Sequence, residues 1–388
     1  MVDERKVPEG WVVKKLKDLS TMKSGNSITS KKINDYDKIP CYGGNGLRGY
    51  TYDYTHEGEY ALIGRQGALC GNVQFVSGVF FASEHAIVVT PNDETDIKWL
   101  FYMLTDMGLN KYSESSAQPG LSVIKILNLE LVAPADRIEQ KFIAEALSDT
   151  DNLIQSLENL IDKKKKIKQG AMQQLLTGKK RLPGFSGEWR KVKVKDIGYA
   201  YGGLSGKSKS DFDGGNKPYI TFLNVMNNTI IEISSLRYVR VKSSESQNRV
   251  NTGDLLFNTS SETPEEVGMC SVLLGEIDEL YLNSFCFGFR IYDQNLFEPL
   301  YLAYFFRSNE GRKLFFSLAQ GATRYNLSKN LFYNIEFKHP SIQEQKAIAQ
   351  VLSDMDNEIE ALEEKLEKYK TIKQGMMQEL LTGRIRLI

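Results

Sequence analysis

The segment GGLSGKS, at residues 202–208, contains the residue types that hold phosphate groups in nucleotide-binding loops. The motif G-x-x-x-x-G-K-[ST] needs glycine at position 201, where this chain has Tyr201, and Gly202 leaves the spacing one residue short. The residues that follow, KSDFDGGNKP, do not begin a helix, so the strand–loop–helix context is missing too. The sequence therefore does not predict a phosphate-binding loop here.

Other groups of reactive side chains are equally incomplete. Glu84 and His85 have no paired metal ligand, and four cysteines without C-x-x-C spacing beside three histidines make a zinc site improbable. Four aspartates recur in two predicted helices, where solvation or the capping of a kink is a simpler explanation than a metal site: Asp149, Asp151, Asp354 and Asp356. No methyl-donor glycine motif and no G-x-S-x-G elbow is present. By elimination, we expect no catalytic site in this chain.

Several loops have a composition that suits a different chemistry, the recognition of nucleic acid. Asn, Gln, Arg, Ser and Thr hydrogen-bond base edges and phosphates, and glycine lets the backbone approach closely. Ordinary turns use the same residues, so a purely structural loop is an open alternative at each position. The loops are residues 41–50, 64–72 and 115–120 in the first half, and 201–210, 257–263 and 320–329 in the second.

A long segment occurs twice in the chain, once between the two groups of loops and once after the second group. Residues 139–182 match residues 344–387 at 27 of 44 positions without a gap, at a constant offset of 205 (344 minus 139). Such a match indicates an internal duplication. Apolar residues recur at alternating steps of four and three along both copies, which predicts a long helix with a heptad seam. The seam comprises Ile143, Leu147, Thr150, Ile154, Leu157 and Ile161 in the first copy, and Ile348, Leu352, Met355, Ile359, Leu362, Leu366 and Tyr369 in the second.

The order of the chain then predicts the direction of the two helices. Each has about 40 residues and is therefore roughly 60 Å long. The first helix carries the chain away from the first globular segment, and the second must return along it, so the pair is antiparallel. Gly178 and Gly383 stand where a helix end is expected, and Gly170 and Gly375 suggest a close helix crossing.

The remaining sequence divides into two weakly related globular segments. WVVKKLKDL at residues 11–19 corresponds to WRKVKVKDI at residues 189–197, and further matches need gaps. Each segment combines predicted strands, glycine-rich loops and terminal helices. We predict an α+β architecture with pseudo-two-fold symmetry, in which two mixed α/β domains are separated by an antiparallel two-helix coiled coil. The segments are residues 1–137 (first domain), 138–178 (first helix), 179–189 (linker), 190–341 (second domain) and 342–383 (second helix).

Bulk composition fits this organisation. At 388 residues the chain is too long for one ordinary core. With 49 basic and 49 acidic residues, the net charge of zero argues against gripping nucleic acid by global electrostatics, although local patches or partner subunits can supply phosphate contacts. The first ten residues are polar, and no apolar run approaches 18 residues. We expect a cytoplasmic protein with no membrane partner.

The motifs together carry a family resemblance. The repeated EQKxIA…LSDxDN…IKQGxMQxLLTGxxRL helices, the LPGFSGEW linker, and the IPCYGGNG, IGRQGALCGN and GATRYNLS loops resemble specificity subunits of type I restriction-modification systems, over essentially the full chain. The resemblance implies two target recognition domains, each reading one half of a bipartite, asymmetric site in double-stranded DNA. The helices would fix the domain separation, and half-sites about one helical turn, roughly 34 Å, apart would suit it.

The resemblance also implies partners. Two methyltransferase (M) subunits would dock on the repeated helices, bring S-adenosylmethionine and methylate adenine, and restriction (R) subunits would add ATP- and Mg-dependent cleavage. No cofactor is expected on this chain. A scaffold without DNA specificity is the alternative function. The candidate DNA contacts are Asn45, Arg48, Arg65, Gln66, Gln118, Lys207, Asn258, Thr259, Thr323, Arg324 and Tyr325.

Overall fold

The computed structural model describes residues 7–113, 119–321 and 325–387. The chain forms two compact units, Met1–Asn159 with Glu364–Ile388, and Leu160–Glu363. The division lies within both long helices, so each unit contains one globular segment and parts of two helices. The domain boundaries predicted from the sequence are of a different kind. They lie at the ends of the helices and separate segments that differ in sequence type.

Unit 1 is built around a six-stranded sheet with the order β2-β7-β5-β6-β3-β4 and a two-stranded sheet of β1 and β8. All pairs are antiparallel except β3 with β6. Its elements are β1 Trp11–Lys15, α1 Leu16–Leu19, β2 Ser20–Ser24, β3 Ile39–Gly43, β4 Gly46–Thr51, β5 His56–Gly64, β6 Val73–Ala82, β7 Ala86–Pro91, α2 Ile97–Asp106, α3 Val123–Leu127, β8 Glu130–Pro134 and the first part of α4 Arg137–Leu175.

The central strands of unit 1 are apolar on both faces. Alternate residues of β5 point to opposite sides of the sheet: Ala61 and Ile63 enter the main core with Trp99 of α2, whereas Leu62 joins a smaller cluster with Phe80. The main core also takes residues from the start of α4 and the end of α10 (Ile342–Leu380), namely Ile143, Leu147, Leu380 and Leu381. Helix ends and sheet therefore share one hydrophobic core in this unit.

Unit 2 repeats this plan with shorter strands. Its elements are β9 Arg190–Lys193, α5 Val194–Ile197, β10 Gly198–Gly202, β11 Lys217–Ile220, α6 Phe222–Asn227, β12 Arg237–Val239, β13 Leu255–Asn258, β14 Ser260–Ser261, β15 Cys270–Val272, β16 Tyr281–Leu282, β17 Cys286–Ile291, α7 Pro299–Arg307, α8 Asn309–Phe316, β18 Ala319–Gln320, β19 Tyr325–Leu327, α9 Lys329–Tyr333, β20 Glu336–His339, the end of α4 and the start of α10. The sheet β10-β17-β13-β15 corresponds to β2-β7-β5-β6, and β9 with β20 corresponds to β1 with β8.

This correspondence confirms the weak sequence matches between the globular segments. GEYALIG and GDLLFN lie in β5 and β13, each the third strand of its sheet, and WLFYML and LYLAYFF lie in α2 and α7. Pro40 and Pro218 also agree, because each is the second residue of a strand, β3 or β11, and stands opposite a tyrosine of the neighbouring antiparallel strand, Tyr50 or Tyr238.

The seam predicted from the heptad pattern is buried in both long helices. Its fully buried members are Ile143, Leu147, Leu157 and Ile161 in α4, and Ile348, Leu352, Ile359 and Leu366 in α10. In unit 1, ion pairs join Asp151 to Lys373 at 2.6 Å and Glu158 to Lys370 at 3.4 Å. The residue numbers of the paired positions therefore increase along α4 and decrease along α10. In unit 2, Lys164 pairs with Glu358 at 2.5 Å and Lys168 pairs with Asp356. The helices are antiparallel within each unit, and the coiled-coil geometry stays a prediction.

The repeated aspartates attach the globular segments to the helices. Asp151 accepts a hydrogen bond from the Tyr102 hydroxyl at 2.7 Å, and Asp356 accepts one from the Tyr304 hydroxyl at 2.7 Å. Both tyrosines are buried, and this burial raises the pKa of each hydroxyl well above its usual range. The described residues contain no group of three or more acidic, His or Cys side chains that could hold a metal. These carboxylates thus serve tertiary structure.

Two buried ion pairs repeat as well. Arg386 Nε donates to Glu139 at 2.7 Å in unit 1, and Arg181 Nε donates to Glu344 at 2.5 Å in unit 2. Glu139 also accepts from the Trp11 indole at 3.3 Å. Residues 8–11 lie against residues 383–386 in unit 1, as Trp189 lies against Gly178 in unit 2.

The glycines of the repeat behave in two ways. Gly178 and Gly383 follow the helix ends with a φ of +70° each, the left-handed conformation that terminates a helix. The close crossing predicted at Gly170 and Gly375 is wrong, because a Cβ at either position would meet nothing within 4 Å outside its own helix. Within the described residues, no helix combines the length and apolarity needed to cross a membrane.

Candidate nucleic-acid interface

Three connections of unit 1 that are distant in sequence meet beside β5. The backbone N–H of Arg65 donates to the carbonyl of His85 at 2.9 Å, and the N–H of Leu121 donates to the carbonyl of Arg65 at 2.9 Å. Gln66 forms an isolated antiparallel bridge with Gly120. The β5–β6 loop is thus held between the β6–β7 turn and the segment that follows residue 118.

The β3–β4 turn reaches the same place. A side chain on Gly44 would lie 3.1 Å from the carbonyl oxygens of Gln66 and His85, so the backbones are in close contact there. Asn45 and Arg48, on this turn and strand, are exposed. The glycine-rich composition of the loop therefore has a steric reason as well as a possible recognition role.

Unit 2 contains the same set of backbone hydrogen bonds. The N–H of Thr259 donates to the carbonyl of Phe285 at 2.9 Å, and the N–H of Leu327 donates to the carbonyl of Thr259 at 2.9 Å. Ser260 pairs with Asn326 in the β14–β19 ladder. By these contacts Thr259 is equivalent to Arg65, Phe285 to His85, and Leu327 to Leu121. We refer to each set as the reading corner of its unit.

The structure brings seven of the predicted contacts to the reading corners. In unit 1, Asn45, Arg48 and Gln66 are exposed, and the half-buried Arg65 donates from Nη1 to the Ser24 hydroxyl at 3.1 Å. In unit 2, Thr259 and Tyr325 are half-buried, and the Thr259 hydroxyl donates to the Phe285 carbonyl at 2.7 Å. Contact with DNA stays a prediction for these six.

The seventh, Asn258, lies at the same corner but is directed inward. Its side chain is fully buried, its Nδ2 donates to the carbonyls of Ser260 and Glu266 at 3.2 and 2.9 Å, and its Oδ1 accepts from the N–H of Met269 at 2.6 Å. All its polar atoms are engaged in holding the loop. We therefore withdraw Asn258 as a base contact.

Lys207 is a second correction. Its side chain is only 4% exposed, and its Nζ donates to the Arg240 carbonyl at 2.6 Å and pairs with Glu245. A lysine with both partners inside the protein does not contact a phosphate. Nearby Tyr201 is buried and donates to Asp254 at 2.6 Å, which also removes the last resemblance to a phosphate loop. Three further predicted contacts, Gln118, Thr323 and Arg324, lie outside the described residues.

The corner in unit 1 contains side chains of both charges, Arg48 and Glu84. Arg48 lies close enough to lower the pKa of the Cys41 thiol in part, although burial dominates and raises it. Glu84 accepts from the N–H of Ile28 at 3.3 Å and lies 3.5 Å from His85 Nε2. Glu84 is therefore an acidic neighbour of His85 in this corner.

The cysteines offer no reactive thiol. All four are buried and unpaired: Cys41, Cys70, Cys270 and Cys286. Burial raises the pKa of the Cys286 thiol to about 12 and raises the pKa of the other three thiols as well. Because the thiolate is the reactive form, these residues are packing groups.

A family model described as the type I restriction modification DNA specificity domain matches residues 8–169 and 186–371. The chain belongs to this family. Two matched regions agree with the two equivalent reading corners. Specificity subunits have no enzymatic activity of their own, so family membership bears out the expectation that this chain is not an enzyme.

Individual specificity subunits are similar to this one. The type I restriction enzyme EcoprrI specificity subunit of Escherichia coli is 45% identical over 148 residues, which is 37% of this chain and only 37% of that protein. The type I restriction enzyme MjaVIII specificity subunit of Methanocaldococcus jannaschii is 26% identical over 382 residues, or 95% of this chain and 86% of the relative.

Solved structures of specificity subunits share the fold. The S subunit of a type I restriction-modification system from M. genitalium superposes with a TM-score of 0.66 at 15% identity, over 98% of both chains. The HsdS subunit from Thermoanaerobacter tengcongensis gives a TM-score of 0.51 at 16% identity, over 99% of this chain and 100% of that one. These likenesses confirm the predicted α+β class with two mixed domains and long helices.

His85 and Phe285 were not among the residues predicted from the sequence. In the sequence, His85 stands out only as a candidate metal ligand without a partner ligand, and Phe285 lies in an apolar stretch that indicates core. A signal existed in the turn chemistry: SEH and NSF each occur just before a strongly apolar strand, β7 and β17. Only the long-range hydrogen bonds show that the two turns are equivalent.

Proposed function

We propose that this chain reads a bipartite, asymmetric DNA site, with one half-site for each reading corner. The observation that carries the proposal is that the two corners have the same backbone hydrogen bonds but different side chains. Arg65 of unit 1 occupies the position of Thr259 in unit 2, and His85 occupies the position of Phe285. Arg, His, Thr and Phe have different hydrogen-bonding and apolar preferences for base edges. Two such corners suit two different half-sites.

We also propose that the repeated helices dock two methyltransferase subunits. Many identical residues of the repeat are explained by internal contacts, such as Glu139 and Glu344 or Asp151 and Asp356. A second group is identical in both copies yet points to solvent, so tertiary structure alone does not account for it. This group includes Lys163, Ile167, Gln169 and Gln173, with Lys368, Ile372, Gln374 and Gln378, and with them the identical glycines, the half-buried Gly170 and the exposed Gly375.

An exposed apolar residue one helical turn before a glycine suits the packing of a helix from a partner. Ile167 is 48% and Ile372 is 40% exposed, and each precedes a glycine by three residues, on the same helical face. Glycine costs about 1 kcal/mol within a helix relative to alanine, and it permits close approach of another backbone. Two identical subunits need two equivalent surfaces, which this repeat supplies.

The catalytic groups would then reside on the partners. In this proposal the methyltransferase subunits bring S-adenosylmethionine, and restriction subunits, where they join, bring the ATP and Mg used for cleavage. The net charge of zero is consistent with partners that share the phosphate contacts.

A base-modification map of host DNA with and without this gene tests the recognition function. We expect methyladenine at one bipartite, non-palindromic motif to disappear on deletion and to return on complementation. An unchanged map in cells that express all partner subunits contradicts the proposal, and the scaffold function would replace it.

Substitutions that introduce a single negative charge test the docking surfaces. We expect Ile167→Asp and Ile372→Asp each to reduce the number of methyltransferase subunits bound from two to one, as measured by native mass spectrometry, because each introduces an unpaired charge into one apolar contact. Ile138→Asp is the matched control, since Ile138 is 59% exposed on the same helix but its repeat counterpart is Gln343. If both test variants still bind two methyltransferase subunits, the assignment of these helical surfaces as docking sites is contradicted.

A further inference from the structure

The β6–β7 turn and the β16–β17 turn occupy the same position in the two reading corners. Besides the bonds to Arg65 and Thr259, each turn is closed by an equivalent bond: Ala86 N–H donates to Ser83 O at 2.9 Å, and Cys286 N–H donates to Asn283 O at 3.0 Å. The last residue of each turn before the strand is aromatic, His85 or Phe285.

Both aromatic side chains are partly exposed to solvent. Phe285 is 55% exposed, and the side chain of His85 is 45% exposed. Single exposed apolar residues are ordinary on protein surfaces. Phe285 differs because its backbone is fixed on both sides, by Thr259 and by the Asn283 side chain, which accepts from the Phe285 N–H at 2.8 Å. The backbone that carries the exposed Phe285 ring is therefore held in place beside Thr259.

The two turns also differ in charge. Glu84 lies 3.5 Å from His85 Nε2, whereas Ser284 occupies the corresponding place beside Phe285. The His85 ring can hydrogen-bond a base edge, while the Phe285 ring can only pack against a thymine methyl group or a base face. The equivalent positions thus have different discriminating chemistry on one shared backbone.

We infer that His85 and Phe285 are specificity-determining residues, each contacting a base of the half-site read by its own unit. The inference rests on the proposed recognition function and deepens it. Phe285 makes an apolar contact that favours one base at one position, and His85 makes a hydrogen bond at the equivalent position of the other half-site. Neither residue was predicted from the sequence.

Binding competition by the complete methyltransferase complex, on a library that varies every base pair of both half-sites, tests this inference. We expect Phe285→Ala to reduce discrimination at one base pair of one half-site by about tenfold or more, because a mismatch in a specific site has an effect of that order. The other half-site keeps its full discrimination. His85→Ala gives the complementary result, and Phe285→His changes the preferred base.

Tyr292→Ala is the matched control, because Tyr292 is 64% exposed at the opposite end of the β17 strand. Thermal unfolding of each variant checks that the fold is intact, and the unaffected half-site provides an internal standard. Discrimination unchanged at every position, or affinity lowered equally for all sequences, overturns the inference while the recognition function stands. A wild-type complex with no bipartite preference overturns the recognition function itself.

Discussion

At the residue scale, neighbouring side chains on one loop have opposite roles. Asn258 is buried and holds the loop through three hydrogen bonds, whereas Thr259, the next residue, is half-buried at the reading corner. In unit 1 the position equivalent to Asn258 is Gly64, whose backbone packs directly against Gly44. The two corners therefore reach the same backbone arrangement by different means, one through a polar side chain and one through the absence of any side chain.

Asn258→Ala tests the structural role. We expect it to lower the free energy of unfolding by about 2–4 kcal/mol, because a buried N–H and two buried carbonyls lose their partners. Thr259→Ala, the matched control, removes one hydroxyl bond to the Phe285 carbonyl and should cost about 1 kcal/mol. Urea unfolding monitored by circular dichroism measures both. Equal effects would contradict the division of roles between these neighbours.

At the element scale, the repeated helices combine an inner face and an outer face with different explanations. The inner face is apolar and buried, and it extends both hydrophobic cores. The outer face keeps Ile167 and Gly170, with Ile372 and Gly375, although neither glycine is needed for packing within its own unit. An identical outer face on helices that differ at many other positions is what docking of identical partners requires.

Gly170→Ala separates the stability of the helix from its docking role. The added methyl group meets nothing within 4 Å, so we expect the free chain to gain about 0.5–1 kcal/mol of stability from helix propensity. Affinity for the methyltransferase subunit should fall at the same time, because the closest approach is blocked. Gly375→Ala should behave alike. A less stable free chain, measured by thermal unfolding, would show instead that the surface is already covered.

At the scale of the whole molecule, the linker at residues 179–189 of unit 2 and the described chain ends in unit 1 form equivalent structures. Arg181 binds Glu344 and the Gly187 carbonyl, while Arg386 binds Glu139 and the Glu9 carbonyl. Trp189 lies against Gly178 just as Trp11 lies against Gly383. One junction is a continuous chain, and in the other the Arg386 side chain donates to the Glu9 carbonyl and Gly383 lies against Trp11.

A circular permutant tests this equivalence. We expect a chain with residue 388 joined to residue 1, and opened between Gly184 and Phe185, to fold and to unfold thermally within about 5 °C of the original, because few contacts change. The same joined chain opened between Leu256 and Phe257, inside buried β13, is the control and should not fold. Aggregation of the first permutant under conditions where the original is folded would contradict the equivalence.

Features that depend on local periodicity and on chain order could be predicted from the amino-acid sequence. Spacing and connectivity predict the heptad seam, the helix ends at Gly178 and Gly383, and the antiparallel direction of the helices. The weak matches between the globular segments identify β5 with β13 and α2 with α7. Tertiary structure decided the rest, since long-range hydrogen bonds bring residues 65, 85 and 121 together and turn Asn258 and Lys207 inward. Burial of a loop side chain depends on partners far along the chain, which no local pattern specifies.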